Sequence, residues 1–162
     1  MMLPEICAWI EATRVATAIR RSTWLFPTIE TIHVLAIVII VGSVTMLDLR
    51  LLGVASKDRS IRQVHEEVMP WTWSAFVVAL VAGAFLFSSA ATKYYVNFPF
   101  RMKMLLLVII GINAGLFELG TYRRVNWDSE TRIRASAKIA GAVGILLWIG
   151  VVAFGRWIGF TK

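Results

Sequence analysis

Two ionisable residues, Glu30 and His33, lie three positions apart in a long apolar stretch, and a helix places both on one face. The neutral imidazole of histidine has a nitrogen lone pair and titrates near neutrality, so it can ligate a metal or relay a proton. A carboxylate one turn away can pair with a cation or share in an ion site. The pair therefore indicates three chemistries: a structural polar contact, a haem or copper ligand, and an ion or proton path.

Two further residues, Asn113 and Trp148, are predicted to lie near the depth of His33, because a helix rises about 1.5 Å per residue. The candidates for a ligand or haem site are therefore His33, Glu30, Asn113 and Trp148, although Asn113 also suits an interhelical hydrogen bond. His65 is expected in a solvated loop about 20 Å from the level of His33. One chain is thus not expected to supply bis-histidine haem ligation, whereas two copies of His33 related by a two-fold axis could.

Charged residues near the ends of the apolar stretches are expected to form ion pairs. An isolated carboxylate at the depth of Glu30 would cost several kcal/mol, so we expect Glu30 to lie near Arg156, in preference to Arg101 or Lys103. At the other membrane surface, Glu118 is expected to pair with an arginine. The predicted charge partners are Arg156, Arg101, Glu118, Asp48 and Arg50.

Glycine pairs occur in two of the apolar stretches. Gly111 and Gly115 form a GxxxG pattern, and Gly141 and Gly144 lie near the start of the last stretch. Small residues let helices approach closely in lipid, which adds no hydrophobic drive of its own. The pattern predicts packing within the helix bundle, with self-association as the alternative.

The composition indicates the elements that must position these residues. The chain has 162 residues, of which 58% are hydrophobic and 17% charged, with a mean hydropathy of +0.71. A soluble domain is about half apolar and about a quarter charged, so part of the solvent here must be lipid. Four stretches reach the length of about 20 residues that a spanning helix needs: 24–46, 70–91, 100–122 and 135–157. We predict one all-α domain, 1–162, built as an antiparallel bundle of four transmembrane helices.

Two shorter helices are also predicted. Residues 1–23 resemble an interfacial helix more than a secretory signal, because Glu5 and Glu11 interrupt the apolar run. Ser60 and Gln63 form a potential capping box for a short helix over Ser60–Met69, with the next span starting at Pro70.

The net charge of +7 suits basic loops that face anionic lipid, so the expected partner is a bilayer rather than a nucleic acid. Four spans place both termini on one side. The two connections on the other side carry more Lys and Arg, which favours a cytoplasmic position for them. We therefore expect a multi-pass protein of the bacterial inner membrane with periplasmic termini.

Five runs of sequence carry a further signal: WLFPTIETIHVLAIVIIVG, LDLRLLG, MPWTWSAF, FPFRMKMLLL and LLWIGVVAFGRWIGF. Together they resemble a family of small bacterial four-helix membrane proteins known only as a domain of unknown function. The resemblance implies a fold and a membrane, and no activity. The TIHVLA run is also similar to the first helix of copper-resistance membrane proteins and some b-type cytochromes. Members of the family often carry a histidine after an Asn-x-x-x-Phe run; here Glu118 follows that run, so the resemblance implies no second haem ligand there.

No nucleotide-binding loop, HExxH or GxSxG motif is present, so an enzyme is not expected. We expect a non-catalytic accessory or structural membrane protein, or a binder of a small ligand, that self-associates or joins a larger membrane complex. Two alternatives stay open. One is a haem-b-binding electron carrier that uses His33, and the other is an ion or proton transporter or channel lined by Glu30 and His33.

Overall fold

The computed structural model describes residues 3–123 and 133–161. Positions 1–2, 124–132 and 162 lie outside these ranges, as do the parts of the predicted domain 1–162 that fall on them. All regular structure in the described ranges is helical, and four helices are long and apolar enough to cross a membrane. The predicted all-α fold is thus confirmed. The helices are α1 (Leu3–Glu11), α2 (Arg14–Arg21), α3 (Leu25–Leu52), α4 (Ile61–Ser89), α5 (Ala91–Val96), α6 (Phe98–Leu116), a π-helical turn (Phe117–Tyr122) and α7 (Ala135–Trp157).

The first two spans are longer than the sequence predicted. Helix α3 continues past Asp48 and ends only at Gly53, whose φ of +75° is the left-handed conformation that glycine adopts easily. Helix α4 begins at the predicted capping box of Ser60 and Gln63, which is confirmed. It then runs through Pro70 without a break, so the separate short helix over Ser60–Met69 is wrong. Buried residues on both sides of the proline, Val68 before it and Ala75 after it, stabilise the two halves as one helix despite its missing N–H.

The N-terminal segment forms two short helices where one interfacial helix was predicted. The break falls at Thr13, whose side chain caps α2 by accepting a hydrogen bond from the backbone N–H of Ala16. Helix α1 packs on α5 and α4, and helix α2 packs on α4 and α3. Arg20 donates to the carbonyl of Ser89, and the Glu11 carboxylate accepts two hydrogen bonds from Thr92.

The long helices form a bundle with one open side. Helix α3 packs against α4 and α7, and α6 packs against α7, but within the described ranges no Cα atom of α4 lies within 8 Å of one in α6. Side chains bridge this open side at its two ends. At the end of the bundle where α1 and the last turn of α7 lie, Phe100 of α6 stacks on Phe87 of α4. At the opposite end of the bundle, His65 of α4 bonds Glu118 of the π-helical turn.

Two hydrophobic clusters hold the bundle together. One cluster lies at the end of the bundle near His65, and it joins α3, α4, the π-helical turn and α7. The other, the mid-bundle cluster, joins α3, α4 and α7, and α6 packs against it. Burial in the spans is uneven. The buried share of the most apolar window is 22–28% in α3, α4 and α7, but only 6% in α6. Helix α6 is therefore the span with the largest share of its surface left for lipid or another protein. The mid-bundle cluster consists of Ala36, Ile40, Ala75, Ala79, Trp148 and Val151.

Candidate functional site

The imidazole of His33 lies between α3 and α4. Its Nδ1 is 2.9 Å from the carbonyl oxygen of Ala79, and its Cε1 is 3.0 Å from the position that a Cβ atom would occupy at Gly83. The structural polar contact that the sequence indicates as one alternative for His33 is therefore present, and its partner is a carbonyl of the α4 backbone. Because a carbonyl only accepts, Nδ1 carries the hydrogen, and the lone pair of the neutral ring is on Nε2.

Glu30, one turn from His33, faces outward. Its side chain is exposed, and in the described part of the chain no Lys, Arg or His nitrogen lies within 4 Å of its carboxylate. The guanidinium of Arg156 instead lies 4.9 Å above the ring of Phe160, its neighbour one turn along the chain. The predicted ion pair between Glu30 and Arg156 is therefore wrong, and Arg101 is exposed as well.

The charged surroundings of His33 include residues from several elements. The charges of Lys103 on α6 and Glu30 on α3 both act electrostatically on the imidazole. Burial, and to a smaller extent the charge of Glu30, raise the pKa of the Tyr94 phenol on α5 above its ordinary value. Glu30 thus acts on its neighbours through its field and not through a direct ion pair.

Asn113 and Trp148 do not join His33 in one site. The amide Nδ2 of Asn113 donates to the Ala140 carbonyl at 3.1 Å and so links α6 to α7. Trp148 lies in the mid-bundle cluster, and its indole N–H has no hydrogen-bond partner there. With Glu30 facing outward, the four candidates point in different directions and do not form one ligand cage.

A polar cluster at the opposite end was missed by the sequence reasoning. The Nε2 atom of His65 lies 3.0 Å from Glu118 Oε2, and the imidazole stacks on the Tyr122 ring at a centroid distance of 4.1 Å. His65 is on α4 with its side chain only 12% exposed, so the predicted solvated loop position is wrong. The arginine predicted for Glu118 is replaced by this histidine. A signal was present: His65 lies four residues after Ile61 and three before Val68, on the apolar face of the capped helix.

The π-helical turn positions the acidic and aromatic members of this cluster. Helix α6 widens at Phe117 into i→i+5 hydrogen bonding, and Glu118 and Tyr122 both lie in that turn. The wider turn brings the two side chains against the same imidazole. Such turns are rare and occur often at functional sites.

The acidic and basic residues at the opposite end form contacts other than the predicted ones. Arg50 donates its Nε hydrogen to the carbonyl of Arg59 at 2.7 Å, and Arg59 forms two hydrogen bonds with the Glu67 carboxylate. The Asp48 carboxyl instead lies against Gly144 of α7. This side chain is buried between α3 and α7, where Oδ2 has no hydrogen-bond partner. Asp48 and Arg50, both predicted as charge partners, form no ion pair with each other in the described chain.

The two glycine pairs have different surroundings. A Cβ atom at Gly141 would lie 2.9 Å from the Asp48 carbonyl oxygen, and one at Gly144 would lie 2.5 Å from Asp48 Oδ2. A Cβ atom at Gly111 or Gly115 would meet nothing within 4 Å. The α7 pair thus packs within the bundle, as the sequence predicts, whereas the α6 pair does not.

The structure leaves the Nε2 lone pair of His33 free of hydrogen bonds, while Nδ1–H is held by a carbonyl, as in many ligating histidines. The other histidine, His65, is engaged with Glu118 at the far end of the bundle. Among the residues described here, no group of three or more His, Cys, Asp or Glu side chains could hold a metal ion.

No curated protein and no solved structure matches the chain. A family model does match residues 8–161, which include all four spans. It describes a family of unknown function, and the four long apolar helices indicate a multi-pass membrane protein. The chain belongs to the family of unknown function DUF6644.

Proposed function

We propose that this chain is a non-catalytic accessory protein of the bacterial inner membrane, with periplasmic termini, that pairs with a second copy of itself through the outward face of α6. The observation that carries the proposal is the open space in front of Gly111 and Gly115. These glycines lie on the span with the smallest buried share.

The orientation of α6 explains why its glycines are free. Asn113 lies two residues from each glycine, which places it about 200° around the helix from them. Its amide bonds the α7 backbone, so Gly111 and Gly115 must face away from α7. In lipid, such a flat face gains its stabilisation from close van der Waals packing against another helix.

A second copy is the occupant that this face suits. A two-fold interface uses the same patch on both subunits, so a flat strip flanked by ridges can serve as its own complement. Val108 and Ile112, which flank the glycines, are more than half exposed. The α6 sequence from Met104 to Leu116 carries no charge that would oppose a copy of itself.

Disulfide cross-linking across this face tests the proposal. Ile112→Cys, in a chain whose only cysteine has been removed by Cys7→Ala, should form a cross-linked dimer in native membranes. Adding Gly111→Leu should weaken the dimer about tenfold or more, equivalent to about 1.4 kcal/mol. Gly42→Leu is the matched control, because Gly42 also faces open space on a different span.

Three results would contradict the proposal. They are a monomeric wild-type protein, a dimer that Gly111→Leu leaves unchanged, and a dimer that Gly42→Leu weakens equally. Capture of a different membrane subunit by α6 in place of a second copy would also overturn the self-pairing.

A second candidate, haem binding at His33, is supported by the Nδ1–H bond to the Ala79 carbonyl, which leaves Nε2 as a potential ligand. Bound haem would supply one-electron transfer, and two His33 side chains across a dimer axis could ligate it together. Protein purified from haem-supplied cells should then show a Soret band that His33→Ala abolishes. A colourless wild-type protein would exclude this candidate. An ion path lined by Glu30 and His33 has no such support, since Glu30 faces outward and His33 faces α4.

A further inference from the structure

A buried carboxyl without a partner lies where α3 crosses α7. Asp48 is only 6% exposed, and its Oδ2 atom has no hydrogen-bond partner. The described part of the chain contains one other buried side-chain polar atom without a partner, Nε1 of Trp148, four residues after Gly144 on the same α7. An ionisable group inside a membrane domain is costly and is a candidate functional site by default.

Helix α7 is shaped to receive this carboxyl. Gly144 faces the carboxylate oxygens, with Oδ2 2.5 Å and Oδ1 3.1 Å from the position of an added Cβ. Gly141, one turn away, faces the Asp48 backbone. The carboxyl therefore occupies the space that a side chain on α7 would otherwise fill. The close approach of α3 and α7 depends on a small, tightly packed group at this point.

Among the described residues, no Lys, Arg or His nitrogen lies within 4 Å of the Asp48 carboxylate. On α3, Arg50 is held by the carbonyl of Arg59, and on α4, His65 is held by Glu118 of the π-helical turn. Lys138, in the first turns of α7, is exposed.

The ligand that this site suits is a proton. Metal cations such as Ca²⁺ require about six or more oxygen ligands, and one carboxyl packed against two glycines cannot supply them. A proton needs one oxygen. Binding a proton converts the carboxylate into a neutral acid and removes the cost of burying an unpaired charge in apolar surroundings.

We propose that Asp48 is a proton-binding carboxyl, whose proton permits α3 and α7 to pack together. The proton exchanges with water at the end of the bundle where α3 terminates, since Asp48 lies four residues, about 6 Å, from Leu52. The step forms one O–H bond and consumes only the proton. It is independent of the pairing of α6 and of haem at His33.

Infrared spectroscopy of the full-length protein in membranes tests the protonation directly. At neutral pH the wild-type spectrum should contain the carbonyl stretch of a protonated carboxylic acid, and this band should be absent from Asp48→Asn. Asparagine has nearly the same shape and no charge, so the variant should fold. A wild-type spectrum without the band, or a band that persists unchanged in Asp48→Asn, would overturn the proposal.

Unfolding measured across a range of pH gives a second test. If the folded state holds a proton that the unfolded state releases, stability must fall as the pH rises. The wild-type protein should lose thermal stability as the pH rises from about 4, where an unfolded aspartate releases its proton, through neutrality, and Asp48→Asn should lose less. Asp58→Asn, at an exposed carboxylate, is the matched control and should follow the wild type. Equal pH dependence in the wild type and Asp48→Asn would contradict the proposed coupling between the proton and helix packing.

Discussion

The glycine pairs on α7 and α6 are each spaced about one helical turn apart, but the groups that surround them differ. Gly141 and Gly144 face the backbone and carboxyl of Asp48, whereas a Cβ atom at Gly111 or Gly115 would meet no atom of the described chain within 4 Å. Both pairs provide a flat helix surface. The difference shows that a small-residue pair in a membrane helix indicates a capacity for close approach without indicating the partner.

The surroundings of each pair explain this difference. Helix α7 lies between α3 and α6, so one of its faces must meet α3, and its glycines lie on that face. Helix α6 packs on α7 through the side of α6 that carries Asn113, whose amide bonds Ala140. The α6 glycines lie on the other side of that helix. Substitutions at glycine should therefore rank by what their side chains meet.

The largest effect is expected for Gly144→Leu. Its Cβ would lie 2.5 Å from Asp48 Oδ2, and the rest of the side chain would enter the filled crossing of α3 and α7. Overpacking of a core costs about 1–3 kcal/mol and sometimes more, so we expect little folded protein by size-exclusion chromatography in detergent. Gly42→Leu should elute like the wild type, and similar yields for the two variants would show that the crossing is loosely packed.

A smaller loss is expected for Gly141→Ala. One added methyl group would lie 2.9 Å from the backbone carbonyl oxygen of Asp48, which cannot move without shifting α3. We expect a destabilisation of about 1–3 kcal/mol, seen as a lower thermal unfolding temperature. An unchanged unfolding temperature would mean that α3 and α7 separate easily.

Gly83→Ala should give an intermediate result, because the atom that it meets belongs to a side chain that can move. The new Cβ would lie 3.0 Å from Cε1 of His33, so the imidazole must shift from its bond to Ala79. We expect a loss of about 1 kcal/mol and a changed nitrogen NMR signal from His33. If the His33 signal is unaltered, the hydrogen bond to α4 does not depend on Gly83.

The smallest effect on unfolding is expected for Gly111→Ala. The added methyl group meets nothing within 4 Å, and alanine is favoured over glycine in a helix by about 1 kcal/mol. The stability of the monomer should be unchanged or slightly higher in a detergent that dissociates dimers. A clear loss of monomer stability would show that the α6 face packs within the chain after all.

Local features were predictable where the physical cause is local. The capping box at Ser60 and Gln63 was read from two residue types at the right spacing, and it is present. The continuation of α4 through Pro70 was not predictable in this way, because burial of Val68 and Ala75 against other helices outweighs the preference of proline for a helix start.

The candidate site was predictable in kind but not in its partners. A histidine inside an apolar span needs a hydrogen bond, and His33 has one. Its acceptor is the Ala79 carbonyl, a group that every residue carries and that leaves no mark in the sequence. In the same way, nothing near Glu118 in the sequence indicated His65, which lies 53 positions away.

The number of spans, their helical form and the need for polar partners inside them follow from the order of the residues alone. These properties follow from the thickness of a bilayer and from the cost of unsatisfied polar groups in lipid. The contact of Asp48 with the α7 glycines, and the open space in front of the α6 glycines, are instead properties of the packed bundle. That outcome depends on how each helix is rotated about its axis, and the rotation is set by packing among all the helices together.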